Sequence, residues 1–254
     1  MTIIIKTQAE IDLMREACLV TKTILDEVGS IIKPGINTDE INQFVHNRTL
    51  ELGARPATLN YTGFPKSVCT SINDVVCHGI PNQYEILKAG DIINVDVTSI
   101  KSGFYGDSSR MYYVGGKEAC SEEAIELVEF TKEALMIGIN AVKPYARFGD
   151  IGYAIKQFVH KSGKKFGIVK EYTGHGIGRA FHEPPQIVHT AKANSGPVIK
   201  EGMTFTVEPM INQGTWETQL SKLDGWTVRT KDGKLSAQWE HTIAVTANGF
   251  EVLT

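Results

Sequence analysis

Apolar residues recur at helical spacing in a long stretch near the start of the chain, and a shorter helical stretch follows it. The long stretch covers residues 8–32, where apolar side chains return every three or four positions, as on one face of a helix. A Lys-Pro-Gly turn at residues 33–35 ends it. Thr38 or Asp39 is a suitable cap for a second helix that runs to about residue 53.

The same plan appears again further along the chain. Residues 121–142 and 149–163 repeat the two helical stretches at an offset of 110 residues, and residues 202–208 resemble residues 90–96 at an offset of 112. A series of matches at nearly constant offset indicates an internal repeat. We therefore predict a single α+β catalytic domain over 1–254, in which an antiparallel sheet is covered by helices. Its two pseudo-symmetric halves would be about 1–119 and 120–254.

The stretch from Asp91 to Tyr113 has the alternation of a β-hairpin. A two-residue turn at 101–102 would set Asp96 directly opposite Asp107, whereas a three-residue turn closed by Gly103 would shift the pairing by one step. Carboxylates facing each other destabilise a sheet. Such a pair is solvated, shares a proton or holds a cation.

Two further acids occupy comparable positions. Glu208 is the counterpart of Asp96 in the repeat, and Glu240 lies in a strand-like segment at 238–245. If the four carboxylates converge, their formal charge of −4 would be balanced by two divalent cations, as in two-metal hydrolytic sites. The matched His-Gly-Ile turns also offer imidazoles, from His78 and His175.

Composition narrows the class of protein. The net charge is −3, which gives no electrostatic case for binding nucleic acid or an anionic membrane. No apolar run approaches the length of a membrane span, and the first ten residues do not resemble a signal sequence. The four cysteines form no Cys-x-x-Cys pair, so we expect reduced thiols in a cytoplasmic protein.

Two other functional interpretations fit the sequence less well. Glycines at positions 174, 176 and 178 do not have the spacing of a dinucleotide-binding turn, and Pro184-Pro185 would stop the helix that such a turn requires. Cys69 has no local partner that would activate it as a nucleophile, although a histidine distant in sequence could still pair with it.

Five motifs resemble those of type I methionine aminopeptidases, in the order that the family has them. They are CHGIP at 77–81, NVDVTSIKSGFYGD at 94–107, TGHGIGRAFHEPP at 173–185, TFTVEPM at 204–210 and SAQWEHT at 236–242. The resemblance implies the pita-bread fold and a dinuclear metal site. Glu208 and Glu240 are only 32 positions apart, which leaves no room for the insertion that type II relatives carry there.

The resemblance also implies the metal ligands and the reaction. Asp96 would chelate one metal, Asp107 and Glu240 would bridge both, and His175 and Glu208 would complete the other. The enzyme would remove the N-terminal methionine of nascent polypeptides when the second residue is small, through attack of a metal-activated hydroxide on the first peptide bond. Ligands of this kind suit Mn²⁺, Fe²⁺ or Co²⁺.

Further roles carry over motif by motif. Glu208 would relay a proton, His182 would stabilise the carbonyl oxygen, and His78 would bond to the scissile amide nitrogen. The substrate site would consist of Tyr61, Phe64, Cys69, His78, Phe181, His182 and Trp226. A monovalent cation, Na⁺ or K⁺, would be held at Asn73, Val75 and Ser236. The expected partners are the N-terminal methionine of nascent chains and the nearby ribosome, and we expect a monomer that binds no nucleic acid or membrane.

Phe64, Thr58 and Thr62 depart from the residues frequent in bacterial members of the family, so preferences in the methionine pocket are open. Two alternatives remain for the function. A metal-free hydrolase of the same fold, such as creatinase, would have replaced several carboxylates. A non-catalytic peptide-binding protein would have lost at least one ligand. All five are present here.

Overall fold

The computed structural model describes residues 2–254. Four α-helices lie where the apolar periodicity predicts them: α1 Gln8–Val28, α2 Thr38–Glu51, α3 Glu122–Asn140 and α4 Phe148–Lys161. The first helix is shorter than predicted. The predicted cap of α2 is also wrong, because Asn37 caps it, and the backbone and side chains of Asn37 and Glu40 form a reciprocal capping box.

The strands are short apart from one central hairpin, and every strand pair within residues 2–254 is antiparallel. In chain order they are β1 Arg55–Pro56, β2 Cys69–Ile72, β3 Val75–Cys77, β4 Ile92–Lys101, β5 Phe104–Tyr113, β6 Gly167–Ile168, β7 Gly174–Gly176, β8 Glu183–Ile187, β9 Thr204–Val207, β10 Met210–Asn212, β11 Thr218–Leu220, β12 Val228–Thr230, β13 Ser236–Gln238, β14 His241–Thr246 and β15 Gly249–Val252.

The strands divide into four sheets rather than one continuous sheet. Strand β4 pairs with β5 along its whole length and with β1 and β2 along its other edge. A five-stranded sheet has the order β15-β14-β9-β7-β8, and two three-stranded sheets have the orders β13-β10-β6 and β11-β12-β3. No helix among residues 2–254 has both the length and the apolar character needed to cross a bilayer.

The β4–β5 hairpin turns at Ser102-Gly103, so the predicted direct opposition of two aspartates is wrong. Both turn residues have positive φ, +54° and +79°, as the type I′ turn requires. Asp96 therefore lies opposite Ser109, and Asp107 lies opposite Thr98. The displacement is two residues, which preserves the alternation, so both aspartates still lie on the same face.

The repeated helix pairs are tied to the rest of the chain by matching backbone hydrogen bonds. Gly35 N–H donates to Leu87 O, and Tyr145 N–H, 110 residues later, donates to Ile199 O, both at 2.9 Å. A single β-bridge also recurs, between Asn37 and Ile86 and again between residues 147 and 198. The likeness seen in the sequence thus extends to backbone pairing.

Strand β5 meets the later part of the chain along a line of buried polar contacts. The Thr242 hydroxyl donates to Asp107 O at 2.7 Å, and the Ser108 hydroxyl donates to Glu240 O at 2.6 Å. Glu240 N–H in turn donates to Ser109 O at 3.1 Å. We call this line the β5–β14 seam. It holds the backbones of Asp107 and Glu240 side by side.

On its other side, β5 lies against helix α1 with almost no space between the two backbones. A Cβ atom at Gly106 would lie 2.5 Å from Cys18 N and 2.6 Å from Ala17 C. The Thr21 hydroxyl donates to Gly106 O at 2.7 Å. Only glycine fits here, and its absent side chain lets α1 approach the hairpin that carries the two aspartates.

Gly106→Ala should lower the free energy of unfolding by about 3 kcal/mol, because α1 must move away from β5 to admit the methyl group. Thermal or urea denaturation measures the change. Ser99→Ala is a matched control on the same rung of the ladder. It removes a buried hydroxyl without a hydrogen-bond partner, so it should change stability little. An equally stable Gly106→Ala protein would contradict the close approach.

Candidate metal centre and substrate cleft

A cavity of about 270 Å³ opens between the β4–β5 hairpin and the later strands. Its lining includes all twelve residues that the sequence predicts as metal, catalytic or substrate residues: Tyr61, Phe64, Cys69, His78, Asp96, Asp107, His175, Phe181, His182, Glu208, Trp226 and Glu240. Residues from positions 61 to 240 are therefore brought to one place by the fold.

The acidic part of this cavity has the geometry of a cation site. One potential ligand atom from each of Asp107, His175 and Glu240 lies within 4.8 Å of the others. His175 Nε2 is 3.5 Å from Asp107 Oδ2 and 3.7 Å from Glu208 Oε1. Asp107, Glu208 and Glu240 are buried, whereas Asp96 is partly exposed.

Both glutamates sit where a strand is interrupted. Glu208 follows the end of β9, and Glu240 lies between β13 and β14, so the predicted single strand over 238–245 is wrong. Neighbouring side chains hold the carboxylates. The Thr98 hydroxyl donates to Asp107 Oδ1 at 2.8 Å, and the Thr206 hydroxyl donates to Glu208 Oε1 at 2.7 Å.

The acidic side chains are strongly perturbed by their surroundings. Burial, followed by repulsion from the other carboxylates, raises the pKa of Asp96 and Glu240 well above the ordinary values. Burial raises the pKa of Glu208 to about 7. Burial alone would lower the pKa of His175, but its contact with Asp107 and the charge of Glu208 raise it.

The donor set fits divalent cations. Four carboxylates and an imidazole offer oxygen and nitrogen ligands, which suit hard to borderline ions. Within residues 2–254, neither lysine nor arginine lines the cavity to balance the acids. At neutral pH the carboxylates can all ionise only if cations are bound among them.

Two more histidines border the acidic cluster. Burial, and then the charge of nearby His175, lowers the pKa of His182 to about 4, and burial also lowers the pKa of His78. Both imidazoles are therefore neutral at pH 7. His182 Nδ1 is 2.8 Å from the Tyr61 hydroxyl. His78 has a positive φ of 57°, a strained backbone conformation of the kind found at functional sites.

An aromatic slot adjoins the acidic cluster. Phe64 meets Trp226 edge to face with ring centroids 5.3 Å apart, and the Tyr61 ring lies 4.8 Å from that of Phe181. Cys69 is buried in the same wall, opposite Asp96 in the sheet. Thr58 also lines the cavity, and its buried hydroxyl has no hydrogen-bond partner.

The residues predicted to hold a monovalent cation lie outside the cavity lining. Asn73 and Ser236 are adjacent, because Ser236 N–H donates to Asn73 O at 2.8 Å. Val75 is two residues further along, at the start of β3.

Sequence reasoning overlooked several residues of the cavity, and Gln238 and Tyr172 among them contact proposed site residues. The Gln238 amide donates to Glu208 Oε2 at 3.2 Å, and the Tyr172 ring lies edge-on to His78 at 5.7 Å. Gln238 had a signal in the sequence, because it stands two positions before Glu240 on an alternating segment. Tyr172 had none, since it lies in a loop without periodicity.

Comparisons with known proteins place the chain among peptidases. Residues 12–247 match metallopeptidase family M24. Methionine aminopeptidase from Rickettsia prowazekii is 52% identical over 254 residues, which cover all of this chain and 96% of that protein. The Escherichia coli K12 methionine aminopeptidase is 48% identical over 255 residues, covering all of this chain and 94% of that protein.

Solved structures agree. The crystal structure of the Rickettsia prowazekii methionine aminopeptidase superimposes with a TM-score of 0.96 at 51% identity, and each chain is covered completely. Prolidase from Pyrococcus furiosus shares the fold at 22% identity with a TM-score of 0.79, covering 99% of this chain and 65% of that one. The predicted resemblance to type I methionine aminopeptidases and the predicted fold class are confirmed.

Without divalent ions, the protein should lose stability as the pH rises from about 7.5 to about 9. Above about pH 7.5 an ordinary imidazole has lost nearly all of its charge, so the histidines with lowered pKa values are neutral in both the folded and the unfolded chain. The folded chain binds more protons, because Asp96, Glu208 and Glu240 have raised pKa values. Stability therefore falls with pH, by roughly 2 kcal/mol.

Denaturation of chelator-treated protein at several pH values measures this slope. Added Mn²⁺ should reverse it, because cations bind the deprotonated ligands. Asp96→Asn should make the decrease in stability with pH less steep, because one carboxylate with a raised pKa is removed. Stability that stays constant or rises with pH in the ion-free protein would contradict the perturbed carboxylates.

Proposed function

This chain belongs to metallopeptidase family M24, and we propose from that premise that it removes the N-terminal methionine from polypeptides whose second residue is small. The observation that carries the proposal is the shared cavity, in which an acidic cluster adjoins an aromatic slot. The cluster would act on the first peptide bond while the slot holds the methionine side chain.

We assign the binding of two divalent cations to Asp96, Asp107, His175, Glu208 and Glu240, with Co²⁺, Mn²⁺ and Fe²⁺ as candidates. Asp107 and Glu240 would contact both ions, which accords with their side-by-side backbones at the β5–β14 seam. When bound, such ions activate water at neutral pH and polarise the substrate carbonyl.

The chain's own residues would handle the protons. Glu208, which is also a proposed metal ligand, would relay a proton during the reaction. Neutral His182 can donate a hydrogen bond to the carbonyl oxygen as charge develops there. His78, which lines the same cavity, would bond to the scissile amide nitrogen.

The methionine side chain would occupy the slot formed by Tyr61, Phe64, Cys69, Phe181 and Trp226. Aromatic edges pack well against a thioether, and the slot is mostly apolar. Its walls come from both proposed halves of the single domain, about 1–119 and 120–254.

We further propose a cytoplasmic monomer that acts on nascent chains near the ribosome. All four cysteines are free thiols in the structure, in keeping with a reducing compartment. A monovalent cation, Na⁺ or K⁺, would bind at Asn73, Val75 and Ser236. The adjacency of Asn73 and Ser236 supports that site.

Release of methionine from Met-Ala-Ser tests the function directly. The protein with added Mn²⁺, Co²⁺ or Fe²⁺ should cleave this peptide, and a chelator should abolish cleavage. Peptides with a bulky second residue should be poor substrates. Binding of the peptide without cleavage, under all three ions, would instead favour the peptide-binding alternative.

His78→Ala should reduce kcat about 100-fold, because it removes a donor directed at the reacting group and no proposed metal ligand. Elemental analysis should show wild-type metal content. His160→Ala, at an exposed position near the end of α4, is the matched control and should leave turnover unchanged. Loss of both metals from the His78 variant would refute this division of roles.

Thr58→Val should reduce the preference for methionine over norleucine by a few-fold. The Thr58 hydroxyl has no partner in the structure, and a thioether sulfur can accept a weak hydrogen bond from it, whereas the methylene of norleucine cannot. The ratio of kcat/KM for Met-Ala-Ser and norleucyl-Ala-Ser measures this. An unchanged or larger ratio would count against a contact between this hydroxyl and the substrate.

A further inference from the structure

The segment before helix α1 ends in an ion pair that is almost completely buried. Lys6 Nζ lies 2.5 Å from Glu183 Oε2, and the two side chains are only 3% and 4% exposed. These residues are 177 positions apart in the chain. Removing two charges from water is unfavourable, and a well-packed apolar pair would often stabilise a fold equally well. We therefore expect the pair to have a role in addition to stabilising the fold.

Glu183 uses its second oxygen to organise a loop. Its Oε1 accepts hydrogen bonds from the backbone N–H groups of Arg179, at 2.9 Å, and of Ala180, at 3.2 Å. Both residues belong to residues 177–182, which connect β7 to β8 and which we call the β7–β8 loop. The carboxylate thus joins the loop backbone to Lys6.

The β7–β8 loop carries two residues of the cleft. The Phe181 ring is tilted against that of Tyr61 and stacked on that of Tyr105, and His182 contacts the Tyr61 hydroxyl. The His182 ring centroid is 4.1 Å from that of His175. A shift of this loop would move His182 relative to the reacting carbonyl without removing any ligand from the acidic cluster.

Lys6 is itself fixed to the body of the protein. Its backbone N–H donates to Gly202 O at 2.7 Å. A Cβ atom at Gly202 would lie 2.6 Å from Lys6 O, and one at Gly178 would lie 2.4 Å from Lys6 Cε. Glycines on both sides leave the space that the lysine occupies. Lys6 is therefore closely packed on both sides, and its ammonium group holds the Glu183 carboxylate that binds the loop backbone.

We propose that Lys6 and Glu183 are positioning residues that place His182 and Phe181 for the reaction, a role that rests on the proposed function. Neither side chain lines the cleft, so neither acts on the substrate directly. Lys6 fixes the Glu183 carboxylate, the carboxylate fixes the loop backbone, and the backbone fixes His182. The segment preceding α1 thereby becomes part of the catalytic apparatus.

Lys6→Met, Glu183→Gln and the double variant test this proposal, with Arg15→Met as the matched control. Arg15 lies close to Lys6 in the sequence, and its side-chain hydrogen bonds go to Asp12 and Glu251 rather than to the β7–β8 loop. Lys6→Met and Glu183→Gln should each lower kcat by about 10- to 100-fold, as expected for a misplaced reacting group, with a smaller change in KM. The kcat of the double variant should be no lower than that of the less active single variant, because both residues act through one connection.

Two readouts separate positioning from general support of the fold. Metal content should match the wild type in every variant. Hydrogen exchange of the Arg179 and Ala180 amides should accelerate in Lys6→Met but not in Arg15→Met. Wild-type kcat in folded Lys6→Met and Glu183→Gln proteins, measured well below their melting temperatures, would overturn the proposal.

Other results would also overturn it. Loss of metal from Lys6→Met would mean that the pair supports the acidic cluster, and unfolding of all three variants would mean that it only holds the fold. A wild-type protein that releases no methionine would count against the proposed function instead. The exchange measurement would still test the connection between Lys6 and the loop.

Discussion

The mutual repulsion of four carboxylates facing one cavity is the constraint on which the site depends. These side chains cannot remain ionised together unless positive charge lies among them, and the nearest imidazole supplies at most one. The chain holds the acids close regardless, through hydroxyl and amide donors such as Thr98, Thr206 and Gln238. Favourable packing in the rest of the fold offsets this repulsion, so the acids stay close together and can bind cations.

Burial in this cavity also changes the pKa values of the groups around the acids. Burial that raises the pKa of Glu208 also lowers the pKa of His182, so a carboxylate and an imidazole with different proton affinities stand in one cleft. Without bound cations, these different pKa values let Glu208 accept a proton near pH 7 while His182 stays neutral and can donate a hydrogen bond. A single physical cause therefore gives two neighbouring groups different chemical roles.

Periodicity alone was enough to predict the helices and the faces of the strands. The register of the central hairpin was not, because it depends on positive φ at Ser102, which composition does not reveal. The error left the faces intact, since a shift of two residues keeps Asp96 and Asp107 on one side. The tie between Lys6 and Glu183 had no local signal, because its two charges are distant in the chain and meet only through tertiary packing.

The β5–β14 seam also governs when the centre can exist during synthesis. A growing chain that has reached residue 120 contains only Asp96 and Asp107 of the five proposed ligands, and the last of them is added at residue 240. Without β14, the β4–β5 hairpin lacks the strand that hydrogen-bonds to Asp107, and the cavity is incomplete on that side. A nascent chain that has not yet reached residue 240 therefore cannot hold all five proposed ligands, and the complete centre cannot form in it.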